Sequence, residues 1–249
     1  MLQLEKDQHL LKNKEIIKKE LEEADIKKED RIIEIGAGTG NLTFELAKNG
    51  CKVLAFEIDE KFDKFLEKIK NKYNNLEIIY GNALDYDWKE YNKIVANIPY
   101  SASEAILQKA ISSDIKEIVI IVSEGFKEKL LSEEKIGLIA DTFYNIKPIC
   151  KVYRENFFPI PRTDSWLIKL EKKENKSIIK KILLKKGKIK NAIIYSLVEE
   201  GKTKNQAREI IKKLHLDKQV LEKPVGRITA KFLIRLKNEL SINNIFIPS

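Results

Sequence analysis

With 249 residues, 34% of them charged and 43% hydrophobic, the chain can build one large domain and a small one, and it is too apolar for wholesale disorder. Two cysteines, Cys51 and Cys150, without CxxC or Cys/His spacing exclude a disulfide framework and a structural zinc site, so no metal is expected. No stretch approaches about 18 uncharged apolar residues, and the charged N-terminus does not read as a secretory signal; a cytoplasmic protein without membrane contact is expected.

In chain order, Arg31–Ile35, Val53–Phe56, Leu76–Tyr80, Ile94–Ala96 and Ile118–Val122 are short, β-branched-rich runs that read as buried strands. Leu42–Asn49, Glu60–Tyr73 and Ser103–Ile111 carry helical spacing; Phe62, Phe65, Leu66 and Ile69 share one face. Strand alternating with helix predicts an α/β fold with a helix-covered parallel sheet. Lys147–Tyr153 and Trp166–Leu170 read as two further strands closing an antiparallel edge pair around a proline-containing loop.

The texture then changes. KLEKKENKS (169–177) reads as a charged linker, and Ile178–Leu184, Ile189–Glu199, Asn205–Leu214 and Thr229–Leu240 as helices, with no further strand. The net charge of +9 divides in the same place: residues 1–170 carry −3 and residues 171–249 carry +12. The expected domains are therefore 1–172 and a basic, all-α 173–249, the second suited to a polyanion.

Residues 34–40, Glu-Ile-Gly-Ala-Gly-Thr-Gly, follow a predicted strand and precede a helix. Glycines at alternate positions let the backbone turn tightly and approach a ligand. Seventeen residues beyond Gly40, the second strand ends at Glu57, whose carboxylate suits bidentate acceptance from the two hydroxyls of a ribose; Asp59 can cap the following helix. A nucleoside-containing cofactor is the reading, and the absence of a lysine after the glycines excludes a P-loop. After the fourth strand comes Asn97-Ile98-Pro99-Tyr100. An amide oxygen, backbone carbonyls held by a rigid proline turn, and a flat ring together suit an exocyclic amine on a base.

EIGAGTG, FEID (56–59), GNAL (81–84), NIPY and FFPIPRTDS (157–165) occur in this order, after a Gln8-His9-Leu10-Leu11 segment and before a basic helical region. Together they resemble the ribosomal RNA adenine N6-dimethyltransferases of the KsgA type, with the Erm resistance methyltransferases as close relatives. The resemblance implies a Rossmann-like class I methyltransferase sheet with a small all-α C-terminal domain. It implies S-adenosyl-L-methionine as cofactor, contacted by His9, Leu11, Gly36, Glu57, Asn82 and Asn97. It further implies that Asn97 and a carbonyl of Ile98 or Pro99 bind the target amine, and that Tyr100 and Phe157 stack on the two faces of a flipped adenine. Lys185, Lys186, Lys188 and Lys190, in a stretch where the family has a basic helix, and Arg162 beside the FFPIP loop would contact RNA phosphates. The implied reaction is dimethylation of adenines in small-subunit ribosomal RNA, by a monomer acting on the subunit precursor. An Erm-like large-subunit enzyme and a non-catalytic assembly factor are the alternatives. Departures from the family pattern are Asn82 for Asp, Asp7 for Gly, Leu10 for Phe, Thr163 for Val, and a short segment at 132–140 where the family has a longer loop.

Overall fold

The computed structural model describes residues 8–174, 177–243 and 245. The chain forms two compact units, and the second takes in Ser132–Phe143, which the expected division left in the first. Residues up to Leu131 together with Tyr144–Lys172 form the first; Ser132–Phe143 and the chain from Lys173 onward form the second.

In chain order the first unit contains β1 (Leu10–Leu11), α1 (Lys14–Ala24), β2 (Arg31–Ile35), α2 (Asn41–Lys48), β3 (Lys52–Glu57), α3 (Asp63–Lys70), β4 (Leu76–Tyr80), β5 (Lys93–Asn97), α4 (Ser103–Ser112), β6 (Glu117–Ser123) and α5 (Glu124–Leu130). After α6 (Lys135–Phe143), which belongs to the second unit, come β7 (Tyr144–Val152), β8 (Phe157–Phe158) and β9 (Ser165–Lys172).

Seven strands form one sheet in the order β4-β3-β2-β5-β6-β9-β7. The first five are mutually parallel, and β9 runs antiparallel to both β6 and β7. The expected antiparallel pair exists, but β9 lies inside the sheet and only β7 is at the edge. Leu167, Ile168 and Leu170 of β9 are fully buried, on both faces, which an edge position would not require. Lys169–Lys172, expected to start a linker, continue β9 instead; residues 175–176 of that linker lie outside the described residues, as does Asp7.

Helix α1 was not anticipated. Its apolar positions are few, and it is fixed by the Asn13 side chain accepting from the amides of Glu15 and Ile16. It buries Ile17 and Ala24 against the sheet. The two-residue strands β1 and β8 pair antiparallel, Leu10 opposite Phe158 and Leu11 opposite Phe157, tying the N-terminal segment to the proline-containing loop.

The second unit holds α6 with α7 (Ile178–Leu184), α8 (Ile189–Glu199), α9 (Lys204–Lys213), α10 (Lys218–Leu221) and α11 (Ala230–Ile242). Ile182, Ile189, Ile193, Leu197, Leu233 and Leu236 form its fully buried core. The segment read as a shortened loop is thus mostly helix: α6 buries Ile136, Ala140 and Phe143 and packs on α7 and α11. Among the described residues no helix is long and apolar enough to cross a membrane.

Candidate active site at the carboxyl ends of the strands

Four parallel strands deliver the site. β2 runs into Gly36, β3 ends at Glu57, β4 leads to Asn82 and β5 ends at Asn97, so all four groups arrive at the carboxyl edge of the sheet, where open α/β folds bind ligands. One cleft is lined by His9, Gly36, Glu57, Asn82, Asn97, Ile98, Pro99, Tyr100 and Phe157. Leu11 is not on its wall. That residue is buried opposite Phe157, and its carbonyl accepts from Asn41 Nδ2 at 3.1 Å, so it ties the Phe157 wall to the start of α2 without facing the cavity.

The glycine turn is built around the tip of β3. The amides of Gly36 and Ala37 donate to the Phe56 carbonyl at 2.8 and 3.0 Å, and the Gly38 amide donates to Glu57 Oε2 at 2.7 Å. Gly36 has φ +80°, and a Cβ there would stand 3.7 Å from the Asn97 carbonyl oxygen and from Pro99 Cδ. Glycine thus satisfies the left-handed backbone and keeps open the wall between turn and NIPY segment. Gly38, at φ +55°, is tighter still: a Cβ would meet Leu10 Cδ2 at 2.7 Å, because the N-terminal segment closes over the turn.

Glu57 is buried and held by three amides: Oε2 by Gly38, Oε1 by Ile58 at 2.9 Å and Asp59 at 3.0 Å. A carboxylate has about four acceptor positions, so one remains. It can take a single hydroxyl rather than the bidentate pair expected. Asp59 caps the next turn, accepting from the Lys61 amide at 3.0 Å. Its other oxygen accepts from Gln8 Nε2 at 3.0 Å, while Gln8 Oε1 accepts from Lys61 Nζ at 2.6 Å. Gln8, a cleft-lining residue with no role of its own legible in the sequence, anchors the N-terminal segment to the strand end.

Asn82 spends its side-chain oxygen locally, accepting from the Leu84 amide at 3.1 Å as cap of a short 3₁₀ turn. Below that turn, Trp88 is fully buried and donates to the Ala83 carbonyl at 3.0 Å. Asn97 is the opposite case: its Oδ1 is buried and, among the described residues, has no hydrogen-bond partner. Leaving such an atom desolvated costs roughly 1–3 kcal/mol, a cost that an incoming donor would remove.

Tyr100 lies 5.9 Å from the His9 ring, centre to centre, at 31°, and its hydroxyl bonds to the buried Ser165 Oγ at the start of β9. Burial pushes the phenol up from its ordinary range, with the Ser165 bond acting in the opposite sense. His9 Nδ1 lies 2.9 Å from the Pro159 carbonyl; a carbonyl only accepts, so this nitrogen carries the proton. Phe157 is buried at 2% exposure, whereas Phe158 is 55% exposed under the Lys12 ammonium, 5.7 Å from the ring centre.

Below the turn lies Glu34, buried, with one oxygen unpartnered among the described residues. Burial raises its carboxyl to about 8; Thr43 opposes the shift and the Glu57 charge adds to it.

The lysines expected on RNA are placed differently from a single basic helix. Lys185–Lys188 fall in the break between α7 and α8, where Gly187 has φ +89° and Lys188 is the N-cap of α8. Lys185 is paired with Glu199, and Lys188 and Lys190 share Glu222 at 2.8 and 3.7 Å. Among the described residues, Lys186 and the exposed Arg162 have no carboxylate within 4 Å.

These residues fit a sulfonium-bearing nucleoside: an acceptor position on Glu57, a wall kept open at Gly36, and a desolvated amide oxygen on Asn97 beside it. With a parallel sheet carrying one inserted antiparallel strand, this cleft defines a Rossmann-like methyltransferase using S-adenosylmethionine. Comparison with known proteins narrows the class. The family model for ribosomal RNA adenine dimethylase matches residues 3–232. A probable ribosomal RNA small subunit methyltransferase A of Methanococcus maripaludis is 34% identical over 226 residues, 83% of this chain and 86% of that protein. The Thermotoga neapolitana ribosomal RNA small subunit methyltransferase A is 35% identical over 173 residues, 67% of this chain and 66% of its own. Among solved structures, a dimethyladenosine transferase from Plasmodium falciparum superposes with TM-score 0.67 at 27% identity, covering 96% of this chain and all of that one. The chain belongs to the ribosomal RNA adenine dimethylase family.

Proposed function

We propose that this methyltransferase transfers two methyl groups to N6 of each target adenine in small-subunit ribosomal RNA, acting as a cytoplasmic monomer on the subunit precursor. What supports the small subunit is the function that the relatives above are named for, at 34–35% identity. What supports adenine N6 is the buried, unpartnered Asn97 Oδ1 in the cleft.

When bound, S-adenosylmethionine supplies a methyl group already activated by its sulfonium. The chain need only position the acceptor amine. Adenine N6 is a poor nucleophile because its lone pair is delocalised into the ring. In the first transfer both N6 hydrogens are accepted at once, and in the second the one that remains. This draws the nitrogen towards tetrahedral geometry and frees that pair, and the proton displaced from N6 by each methyl group is lost to water. Asn97 Oδ1 accepts one hydrogen. Of the two candidate carbonyls for the other, Pro99 O already accepts from the Ala102 amide at 3.0 Å and keeps only one lone pair, which favours Ile98 O as the acceptor. Tyr100, held by Ser165, stacks on one face of the flipped base, and Phe157 closes the other side of the cleft. Each stacked ring offsets the cost of unstacking by about 1–3 kcal/mol. Catalysis is positioning and electrostatics, without a strong base.

The test is incubation with labelled S-adenosylmethionine and small- or large-subunit precursors, followed by mapping of modified adenines. Dimethyladenine in small-subunit RNA is expected; label confined to large-subunit RNA overturns the reading.

A further inference from the structure

A second concavity of about 650 Å³ lies on the other side of the glycine turn, walled by α1, the start of α2 and α3. We propose that this groove holds the single-stranded RNA flanking the target adenine, an inference that rests on RNA being the substrate. Gly36 and Gly38 face the cofactor cleft, whereas Thr39, Gly40 and Asn41 line the groove, so one turn forms a wall of each. Lys12 lines the groove, and its ammonium stands over the exposed ring of Phe158, next to the Phe157 that closes the cleft. A strand whose base enters the cleft thus meets Lys12 on its way into the groove.

The lining matches a single strand. Lys12, Lys14, Lys18 and Lys68 face Glu15 and Glu45, and Glu45 is tied to Lys48 at 2.9 Å. Among the described residues Lys12, Lys14 and Lys68 have no carboxylate within 4 Å, so their charge is available to phosphates. Between the lysines stands the ring of Phe65, 41% exposed, whereas the half-buried Phe44 that also lines the groove is already met by the Lys48 and Lys72 ammonium groups, 5.3 and 5.4 Å from its centre, and by the edge of Tyr73. Lysines interleaved with accessible aromatic rings are what sequence-tolerant single-strand binding uses: charge for the backbone, ring faces for the bases. A membrane surface would require a continuous apolar face, and this site is concave and rimmed with charge.

The experiment uses the full chain and a short single-stranded oligoribonucleotide with a central adenine, its affinity read by fluorescence anisotropy across a salt series. Replacing two phosphate contacts in the Lys14→Gln/Lys68→Gln variant should lower the log–log salt slope by about 1.4. Phe65→Ala should weaken binding at least about fivefold, and Phe65→Trp should restore it. S-adenosylmethionine affinity should be unchanged in all three, which verifies that they fold. Loss of the slope and affinity with rescue by Trp supports the assignment. Wild-type slope and affinity in the variants, while the wild-type chain binds and methylates RNA, overturns it and reassigns the groove to an acidic protein segment. A wild-type chain that neither binds nor methylates any RNA overturns the function proposed above, and this inference with it.

Discussion

The Gly38 amide donates to Glu57 Oε2 at 2.7 Å, so the glycine turn and the cofactor-facing carboxylate are one device: the turn orients the acceptor that would hold the ribose. In Glu57→Gln, one amide nitrogen must face a backbone N–H, and a charged acceptor is lost. Hydrogen bonds to charged groups are worth about 1.5–3 kcal/mol, so S-adenosylmethionine affinity should fall on the order of tenfold or more, measured by titration calorimetry. An unchanged affinity would remove Glu57 from the cofactor site.

Asn97→Ala removes the acceptor for the reacting amine without touching the turn. Transfer should fall by roughly 10²–10³ in kcat, the range for losing one preorganised electrostatic group, with RNA affinity largely retained. Single-turnover methylation with saturating cofactor is the measurement, and near-normal kcat would discard the assigned role.

Tyr100 separates ring from hydroxyl. Tyr100→Phe keeps the stacking face but strands the buried Ser165 Oγ, costing about 1–2 kcal/mol of stability with a modest change in activity. Tyr100→Ala also loses about 1–3 kcal/mol of stacking on the base, and should lower kcat/KM well beyond the phenylalanine variant. Equal activity in the two variants would mean that the ring does not support the base.

Glu34 makes stability depend on pH. Below its ordinary value of 4.5 the carboxyl is protonated whether the chain is folded or not, so it costs nothing. Between 4.5 and about 8 only the unfolded chain ionises, and stability falls as pH rises; above about 8 the loss levels off, on the order of 5 kcal/mol. Glu34→Gln removes this dependence, so its melting temperature relative to wild type should climb from pH 5 to 8 and then plateau. Glu20, buried nearby on α1 with both oxygens unpartnered, is raised by burial and by Glu34 and acts in the same sense. A pH-independent difference between variant and wild type would mean that Glu34 is ionised in the fold.

The lysine set can be dissected in the same way. Lys186→Gln should lower the salt slope of RNA binding by about 0.7–0.9, one phosphate's worth. Lys188 and Lys190 share Glu222, so their replacement should do less, and Glu222→Gln, which frees both, should raise affinity at low salt. A slope unmoved by Lys186→Gln would make it a solvated surface residue.

Much of the site was legible because its parts are local. Strand periodicity, the glycine turn, the strand-end Glu57 and the NIPY segment are each set by neighbours within a few residues, and parallel strands bring their carboxyl ends to one edge. Helix α1 was not legible: its apolar positions are sparse, and its capping by Asn13 became meaningful only against the sheet. Gln8 and Ser165 were legible only as members of quoted segments; their own roles were not, because each acts on a residue more than 50 positions away.

Length, composition and charge by themselves determined that a nearly neutral α/β region precedes a basic helical one, because those are sums and periodicities along the chain. Tertiary structure decided the rest. It placed β9 inside the sheet, since its residues are buried on both faces, and gave Ser132–Phe143 to the helical unit, since Ile136, Ala140 and Phe143 pack there. It filled three acceptor positions of Glu57 and none on Asn97 Oδ1, and neutralised three of four candidate lysines with glutamates 14 to 34 residues away. Whether a polar group is spent or available depends on what the fold brings beside it, and that is not a property of its place in the chain.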